Sequence, residues 1–386
     1  MRVLLSSMRM TGHIRPLLPY GEALRRHGHE VVFAAPLDAA AQLREAGLPH
    51  AVFGHPGDVE LGEVWASAAD LSHHEKMDTF VSRIFADLNV RAALPALRET
   101  IRTWSPDLIV RESAEFGSAI AAVEAGIPFA TVATSNRLSE GWVAARASAS
   151  IDVIRGEVGL DQDDGASLLT SPTFTSFPAS LDGDAPPGPA MSLFRVRTTR
   201  ENVRPGRPVP AWAIDDGRPL VFVTFGTLAA GSAKNHGLFR AALDAVAALP
   251  VRALMSTGAE MDKSVLGVLP ANVTVESWVP QGDIFPRASA LVCHGGSGTL
   301  LAGLAHGLPM VIVPLTADQP DNARRVEAVG AGVTILDHDA MSLRAAIEQV
   351  IRDPTTRIAA DRMAHEMAAL ATMDDAVREL ERLGRN

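Results

Sequence analysis

The residues of this chain best suited to chemistry fall in one late block and one early pair. The late block runs from Trp278 to Asn322 and contains WVPQ at 278–281, HGGSGT at 294–299, GLP at 307–309 and ADQPDN at 317–322. It offers an aromatic platform, a glycine-rich turn opening a helix, and a carboxylate–amide pair, Asp318 and Gln319, after the next apolar run. Gly295, Gly296 and Gly298 let the backbone turn tightly and approach a ligand closely. The N–H groups and positive dipole end of the helix that follows favour a pyrophosphate. Ser297 and Thr299 add hydroxyls, and His294 can donate a ring N–H. Such a set suits a nucleoside diphosphate carrying a sugar. It is not a P-loop, because no Gly-Lys-Ser/Thr ending follows. It is not a dinucleotide fingerprint either, because GxGxxG and its acidic ribose ligand are absent.

The early pair is His13 and Glu112. His13 stands in SSMRMTGHIRPLLP, after a first apolar run and just before a helix that begins around Pro16. A histidine at that strand-to-helix switch can act as a general base near neutral pH. Its second nitrogen needs an acceptor, and Glu112, directly after PDLIVR, sits at an equivalent strand end. Glu115 is the rival carboxylate, a few residues along the same loop.

Alternating strand and helix patterns must position these groups, which is the signature of parallel α/β sheets. The first half reads as strands at Val3–Ser6, Glu30–Ala34, Leu108–Arg111 and Phe129–Ala133, with helices at Leu17–His27, Ala39–Glu45 and Gly117–Glu124. The second half restarts at Leu220–Phe225, with a helix near His236–Ala248, strands at Ala253–Ser256, Val273–Glu276 and Ala290–Cys293, and another apolar run at 310–314. Residues 106–133 echo 289–313: each is strand, turn, apolar helix, Gly-x-Pro, strand. Two such domains facing one another would leave a cleft at the carboxyl ends of their strands. The expected division is an N-terminal domain at 1–200, a linker at 201–216 within the Pro- and Arg-rich stretch Arg195–Asp216, a second domain at 217–368, and a C-terminal helix at 369–386 packing back on the first domain. The arginines of that stretch read as a solvated face rather than a phosphate patch.

Composition excludes several classes. The 386 residues are 47% hydrophobic and 21% charged, which is globular rather than disordered. A net charge of −10 argues against a nucleic-acid surface. The single cysteine, Cys293, rules out an internal disulfide and a cysteine-based zinc site. No apolar run reaches about 18 residues, and the chain opens directly on a strand-like run, so a cytoplasmic protein with no membrane span is expected.

With these motifs in order, the chain resembles a family 1 glycosyltransferase of the bacterial natural-product and antibiotic type. The resemblance rests on TGHIRPLLPYGEALRRHGHEVVFA, PDLIVRE, VFVTFGT, ANVTVESWVPQ, HGGSGT, GLPMVIVPLTADQPDNARRV and the GAG at 330–332. It implies a GT-B fold, two facing Rossmann-like domains with parallel sheets and an interdomain cleft. The implied reaction is an inverting transfer of a sugar from a nucleotide diphosphate to an acceptor hydroxyl, without metal or cofactor. The resemblance makes His13 the base and Glu112 its acidic partner. Trp278 would stack on the nucleobase and the Val279 backbone read its edge, with Gln281 beside them. His294, Gly296, Ser297, Gly298 and Thr299 would surround the diphosphate, Gly226 and Thr227 would close over it, and Asp318 and Gln319 would bind sugar hydroxyls.

One departure narrows the donor. Uridine-using relatives carry a glutamate eight residues after the motif histidine, where it holds the ribose hydroxyls; here that position is Ala302. Alanine accepts no hydrogen bond from a 2′-hydroxyl, so a dTDP-sugar, a deoxysugar in particular, is expected over a UDP-sugar. The acceptor, a hydrophobic small-molecule aglycone, is expected to meet loops at His55–Phe85 and Asn136–Ala149, through Trp65, Phe80 and Trp142. UDP-sugar dependence or a catalytically silent helper of the same fold are the alternatives, and a monomer or homodimer is the expected state.

Overall fold

The computed structural model describes residues 1–183, 191–197, 216–226, 235–259 and 261–385. The chain divides into two compact units. One comprises Met1–Ser176, Asp184–Arg197 and Ala371–Asn386; the other comprises Phe177–Gly183 and Thr198–Leu370. Phe177–Gly183 thus groups with the second unit although it precedes the linker expected at 201–216, which lies outside the described residues apart from Asp216.

The first unit holds β1 (Arg2–Ser6), β2 (Glu30–Ala35), β3 (His50–Val52), β4 (Leu108–Glu112), β5 (Phe129–Val132), β6 (Thr173–Thr175) and β7 (Leu193–Arg195). They form one sheet in the order β3-β2-β1-β4-β5-β6-β7, every pair parallel. Parallel strands covered on both faces read as continuous apolar runs, and Val3, Leu4, Leu5, Leu108, Ile109 and Val110 are all fully buried. The period of two sends Leu4 and Ile109 to one face, with the helices Asn89–Trp104 and Gly117–Ala125. Val3, Leu5 and Val110 go to the other, with Leu18–Arg26 and the last helix, Met373–Leu383. Left-handed residues close two helices of the first face, Ser105 at φ 51° and Gly126 at φ 66°.

Two segments expected as acceptor loops are helical. Residues 55–85 contain Asp58–Ser67, His73–Thr79 and the first part of a π-helix, Phe80–Leu88. Asn136–Ala149 opens the long helix Arg137–Glu157, whose N-cap Asn136 accepts from the Leu138 and Ser139 N–H groups. Apolar residues scattered among Ser, Ala and Gly hide the helical period of this stretch.

The second unit holds β8 (Leu220–Thr224), β9 (Arg252–Ser256), β10 (Val273–Glu276), β11 (Ala290–Cys293), β12 (Met310–Ile312) and β13 (Gly332–Thr334). The order is β10-β9-β8-β11-β12-β13, again all parallel. The chain direction across each sheet reverses at one point, between β1 and β4 in the first and between β8 and β11 in the second. Ligands of doubly wound sheets bind at the carboxyl side of that switch. The repeated pattern at 106–133 and 289–313 supplies the strand just past the switch in each unit. No helix among the described residues is long and apolar enough to cross a membrane.

Candidate active site

In the first unit the switch point is where His13 and Glu112 meet. β1 and β4 pair in a register that sets Ser6 opposite Arg111. Glu112, the last residue of β4, therefore faces the loop that leaves β1 and turns into the short helix Thr11–Ile14 carrying His13. His13 Nδ1 donates to Glu112 Oε2 at 3.0 Å. The same oxygen accepts the Ala114 N–H at 2.7 Å, and Oε1 accepts the Met8 N–H at 3.4 Å. Burial pushes the Glu112 carboxyl up, but His13, the Ala114 N–H and the Arg111 guanidinium outweigh it and hold the group below its ordinary value. Arg111 is itself buried and spans the strand end, its Nη1 donating to the carbonyls of Glu112, Ser113 and Glu115.

Glu115 is turned elsewhere. It accepts the Ser118 N–H at 3.1 Å and the Ser118 hydroxyl, at the first turn of Gly117–Ala125. Burial raises its carboxyl above the ordinary value, and of the two carboxylates in this loop Glu112 is the one that bonds the imidazole.

A further neighbour of His13 is aromatic. Phe85 stands edge-on to the His13 ring at 5.9 Å, Phe80 meets Phe85 at 4.4 Å, and Trp65 meets Phe80 at 5.4 Å. Trp65 is 49% exposed, so a continuous aromatic track leads from solvent to the histidine. π-Helical turns such as the one carrying Phe80 and Phe85 concentrate at functional sites. Trp142 is not on this track; it contacts His74 at 6.0 Å and lies under the Arg146 guanidinium at 4.4 Å. Sequence reasoning passes over Phe85, whose signal is its place five residues after Phe80 on a helix that reads as a loop.

In the second unit the switch point gathers Gly226, just after β8, and the turn after β11. His294 lies with its Nε2 edge over both. A Cβ on Gly226 would stand 2.8 Å from His294 Nε2 and one on Gly296 2.5 Å from it, so a side chain at either place would require the ring to shift. Burial lowers the His294 imidazole to about 4, against an opposing contact with the Thr224 backbone. At neutral pH it is an uncharged hydrogen-bonding group. The helix Ser297–Ala305 starts with no side-chain cap, which leaves its first N–H groups to an anion. Gly298 is exposed, with nothing within 4 Å of where a Cβ would be.

Around this turn, Gln281 Nε2 donates to Thr299 Oγ1 at 3.0 Å and ties WVPQ to HGGSGT. Trp278 is 57% exposed and Val279 is buried. The Ser297 hydroxyl donates to Asp318 Oδ2 at 2.7 Å. Gln319 is nearly buried, and its Oε1 accepts the Leu315 and Thr316 N–H groups at 2.8 and 3.0 Å. Thr227 lies outside the described residues. Among the described residues no group of three or more His, Cys, Asp or Glu side chains could hold a metal ion.

The model of the erythromycin biosynthesis protein CIII-like N-terminal domain matches residues 22–152, and that of the C-terminal domain matches residues 240–383. The L-demethylnoviosyl transferase of Streptomyces niveus is 33% identical over 384 residues, covering 96% of this chain and 95% of that one. Among solved structures, the glycosyltransferase SnogD from Streptomyces nogalater superposes with a TM-score of 0.79 at 27% identity, over 100% of this chain and 99% of that one. The Streptomyces sp. SF2575 glycosyltransferase SsfS6, solved complexed with thymidine diphosphate, does so at 0.77 and 25% identity, over 99% of each. Matched along both units by sequence and by fold, the chain belongs to the bacterial natural-product family 1 glycosyltransferases, the erythromycin biosynthesis protein CIII-like group of GT-B enzymes.

Proposed function

We propose that this glycosyltransferase moves a deoxysugar from a dTDP-sugar to a hydroxyl of a hydrophobic, aromatic-bearing aglycone, with inversion at the anomeric carbon and without a metal. The observation that carries the reading is the His13–Glu112 pair at the first switch point. With its Nδ1–H given to Glu112, the imidazole presents Nε2 as the basic nitrogen. Nε2 takes the acceptor proton as the acceptor oxygen attacks the anomeric carbon; the new C–O bond forms as the bond to the diphosphate breaks, and the diphosphate leaves with the electron pair. A single displacement of this kind inverts the centre and needs no covalent enzyme intermediate. Glu112 stabilises the imidazolium that results, as the carboxylate does in hydrolase triads.

The leaving diphosphate is assigned to the uncapped helix start at Ser297 and to neutral His294, in the role a metal fills elsewhere. Asp318 and the Gln319 amide NH2 are assigned to the sugar and Trp278 to the base. The aromatic track of Trp65, Phe80 and Phe85 is assigned to the aglycone; Trp142, which contacts His74 and the Arg146 guanidinium, lies off that track. Ala302 supports thymidine over uridine, as does the thymidine diphosphate held by the related SsfS6.

Two assays test the reading. A His13→Ala variant, given a dTDP-sugar and an aglycone panel, is expected to lose transfer; undiminished transfer removes His13 as the base. Thermal melts are expected to show stronger stabilisation by dTDP than by UDP, and Ala302→Glu to narrow that gap. Equal or UDP-favouring stabilisation of the unmodified protein overturns the donor assignment.

A further inference from the structure

Asn322, one turn into the helix Gln319–Ala328, is almost fully buried and has no place in the reaction described above. Its Nδ2 lies 3.0 Å from the Gly295 carbonyl, 3.2 Å from Ser297 Oγ and 2.8 Å from Asp318 Oδ2. Ser297 Oγ donates to that same Asp318 oxygen. One amide therefore bonds the turn after β11 to the carboxylate after β12, and Asp318 Oδ2 receives two donors that fix its plane.

The backbone beside it is held against its preference. Ala317 has φ +57°, a left-handed conformation that costs a residue with a Cβ about 1 kcal/mol or more and persists only where the surroundings impose it. Gln319 imposes it from one side, its Oε1 gripping the Leu315 and Thr316 N–H groups. Asn322 and Ser297 impose it from the other through Asp318. A strained turn clamped at both ends, with a carboxylate at its tip, is built for close placement.

We propose that Asn322 is a positioning residue of the donor site, which sets Asp318 for the sugar of the nucleotide-sugar donor relative to the turn that holds its diphosphate. The inference rests on the donor assignment above. Without Asn322 the glycine turn and the helix N–H groups remain, so the nucleotide is still held. Asp318 loses a donor on its Oδ2, and the sugar loses its oriented partner.

Calorimetric titration with dTDP and with dTDP-glucose reads the two effects apart. For Asn322→Ala the Kd for dTDP is expected to stay within about twofold, while the Kd for dTDP-glucose rises about tenfold, the scale of one hydrogen bond to a charged group. Ser297→Ala, on the half-buried first residue of its helix, removes another donor to Asp318 and is expected to act in the same direction by about threefold. It carries the test if Asn322→Ala does not fold. A merely structural role for Asn322 predicts equal loss of both ligands, and that result, or no change in either, overturns the proposal. If the unmodified protein binds neither dTDP nor UDP nor their glucose conjugates, the donor assignment itself fails. If it binds only the uridine pair, the same comparison run with UDP and UDP-glucose decides the role of Asn322.

Discussion

Glu112→Gln isolates the charge of the buried carboxylate from its shape. The Oε2 atom of Glu112 receives both His13 Nδ1 at 3.0 Å and the Ala114 N–H at 2.7 Å, while Oε1 receives only the long Met8 N–H contact at 3.4 Å. A glutamine keeps its carbonyl oxygen where two donors converge and turns its NH2 toward Met8. The neutral His13 tautomer is thus preserved, and the fold loses about one weak hydrogen bond, about 1 kcal/mol. What disappears is the attraction between carboxylate and imidazolium once the acceptor proton has moved. For charge centres about 4 Å apart at an effective dielectric of about 20 that attraction is about 4 kcal/mol, or about a thousandfold in rate. The expected outcome is a kcat about three decades down, with the donor KM little changed. The acidic limb of the rate profile also moves to lower pH, because loss of the carboxylate favours the neutral ring. Steady-state kinetics from about pH 5 to about pH 9, bracketing the ordinary imidazole range, with a melting curve at each pH, separate these effects. A loss below about tenfold, with the limb unmoved, refutes Glu112 as the electrostatic partner of the base.

Other expectations test the remaining parts. Because the folded His294 stays neutral down to about 4 while the unfolded chain protonates near 6.5, the unfolded state binds more protons in that window. Stability therefore falls as pH drops through it, by about 2 kcal/mol at about pH 5. Urea melts at neutral pH and at about pH 5 should show less of this loss in His294→Gln, and an identical loss removes the explanation. Gly296→Ala drives a methyl to 2.5 Å from His294 Nε2, and should cost about 1–3 kcal/mol of stability together with the dTDP-induced melting shift; retention of both shows that the ring can move aside. Trp65→Ala, at the exposed end of the aromatic track, should raise the acceptor KM up to about tenfold while leaving kcat and melting temperature in place. An unchanged KM across a panel of aromatic aglycones removes the track as an acceptor surface. Phe85→Leu, next to His13, should lower kcat more than it changes acceptor KM, and the reverse pattern places Phe85 on the substrate rather than on the base.

Local patterns carry much of this protein. Continuous apolar runs mark β1, β4, β8, β11 and β12 because strands buried on both faces have no polar side, and Gly226, Gly295 and Gly296 mark the turns after β8 and β11, where an added Cβ would meet atoms closer than 3.0 Å. His13, Glu112 and the HGGSGT turn are legible because each sits at a strand end, a place that the alternation of strand and helix already defines. Weakly patterned elements are not legible: β3, β6, β7 and β13 are three residues each, and unlike the equally short β12 none lies in an uninterrupted apolar run of strand length. The helices inside 55–85 and at Arg137–Glu157 read as loops in the sequence, because their fixed shape depends on what they pack against.

Tertiary structure decides the choices that depend on neighbours distant in sequence. The parallel register of β1 and β4 brings Glu112, rather than Glu115, to His13. Packing of the π-helix sets Phe85 beside the same ring, and burial, which no motif encodes, makes His294 neutral. The motif at 317–322 names Asp318 and Gln319, but the strained turn at Ala317 and the clamp by Asn322 exist only once β11 and β12 lie side by side. Residue types and short-range spacing specify which groups are present at a strand end, whereas the direction each group faces and the charge it carries follow from sheet register and burial, which are properties of the whole folded unit.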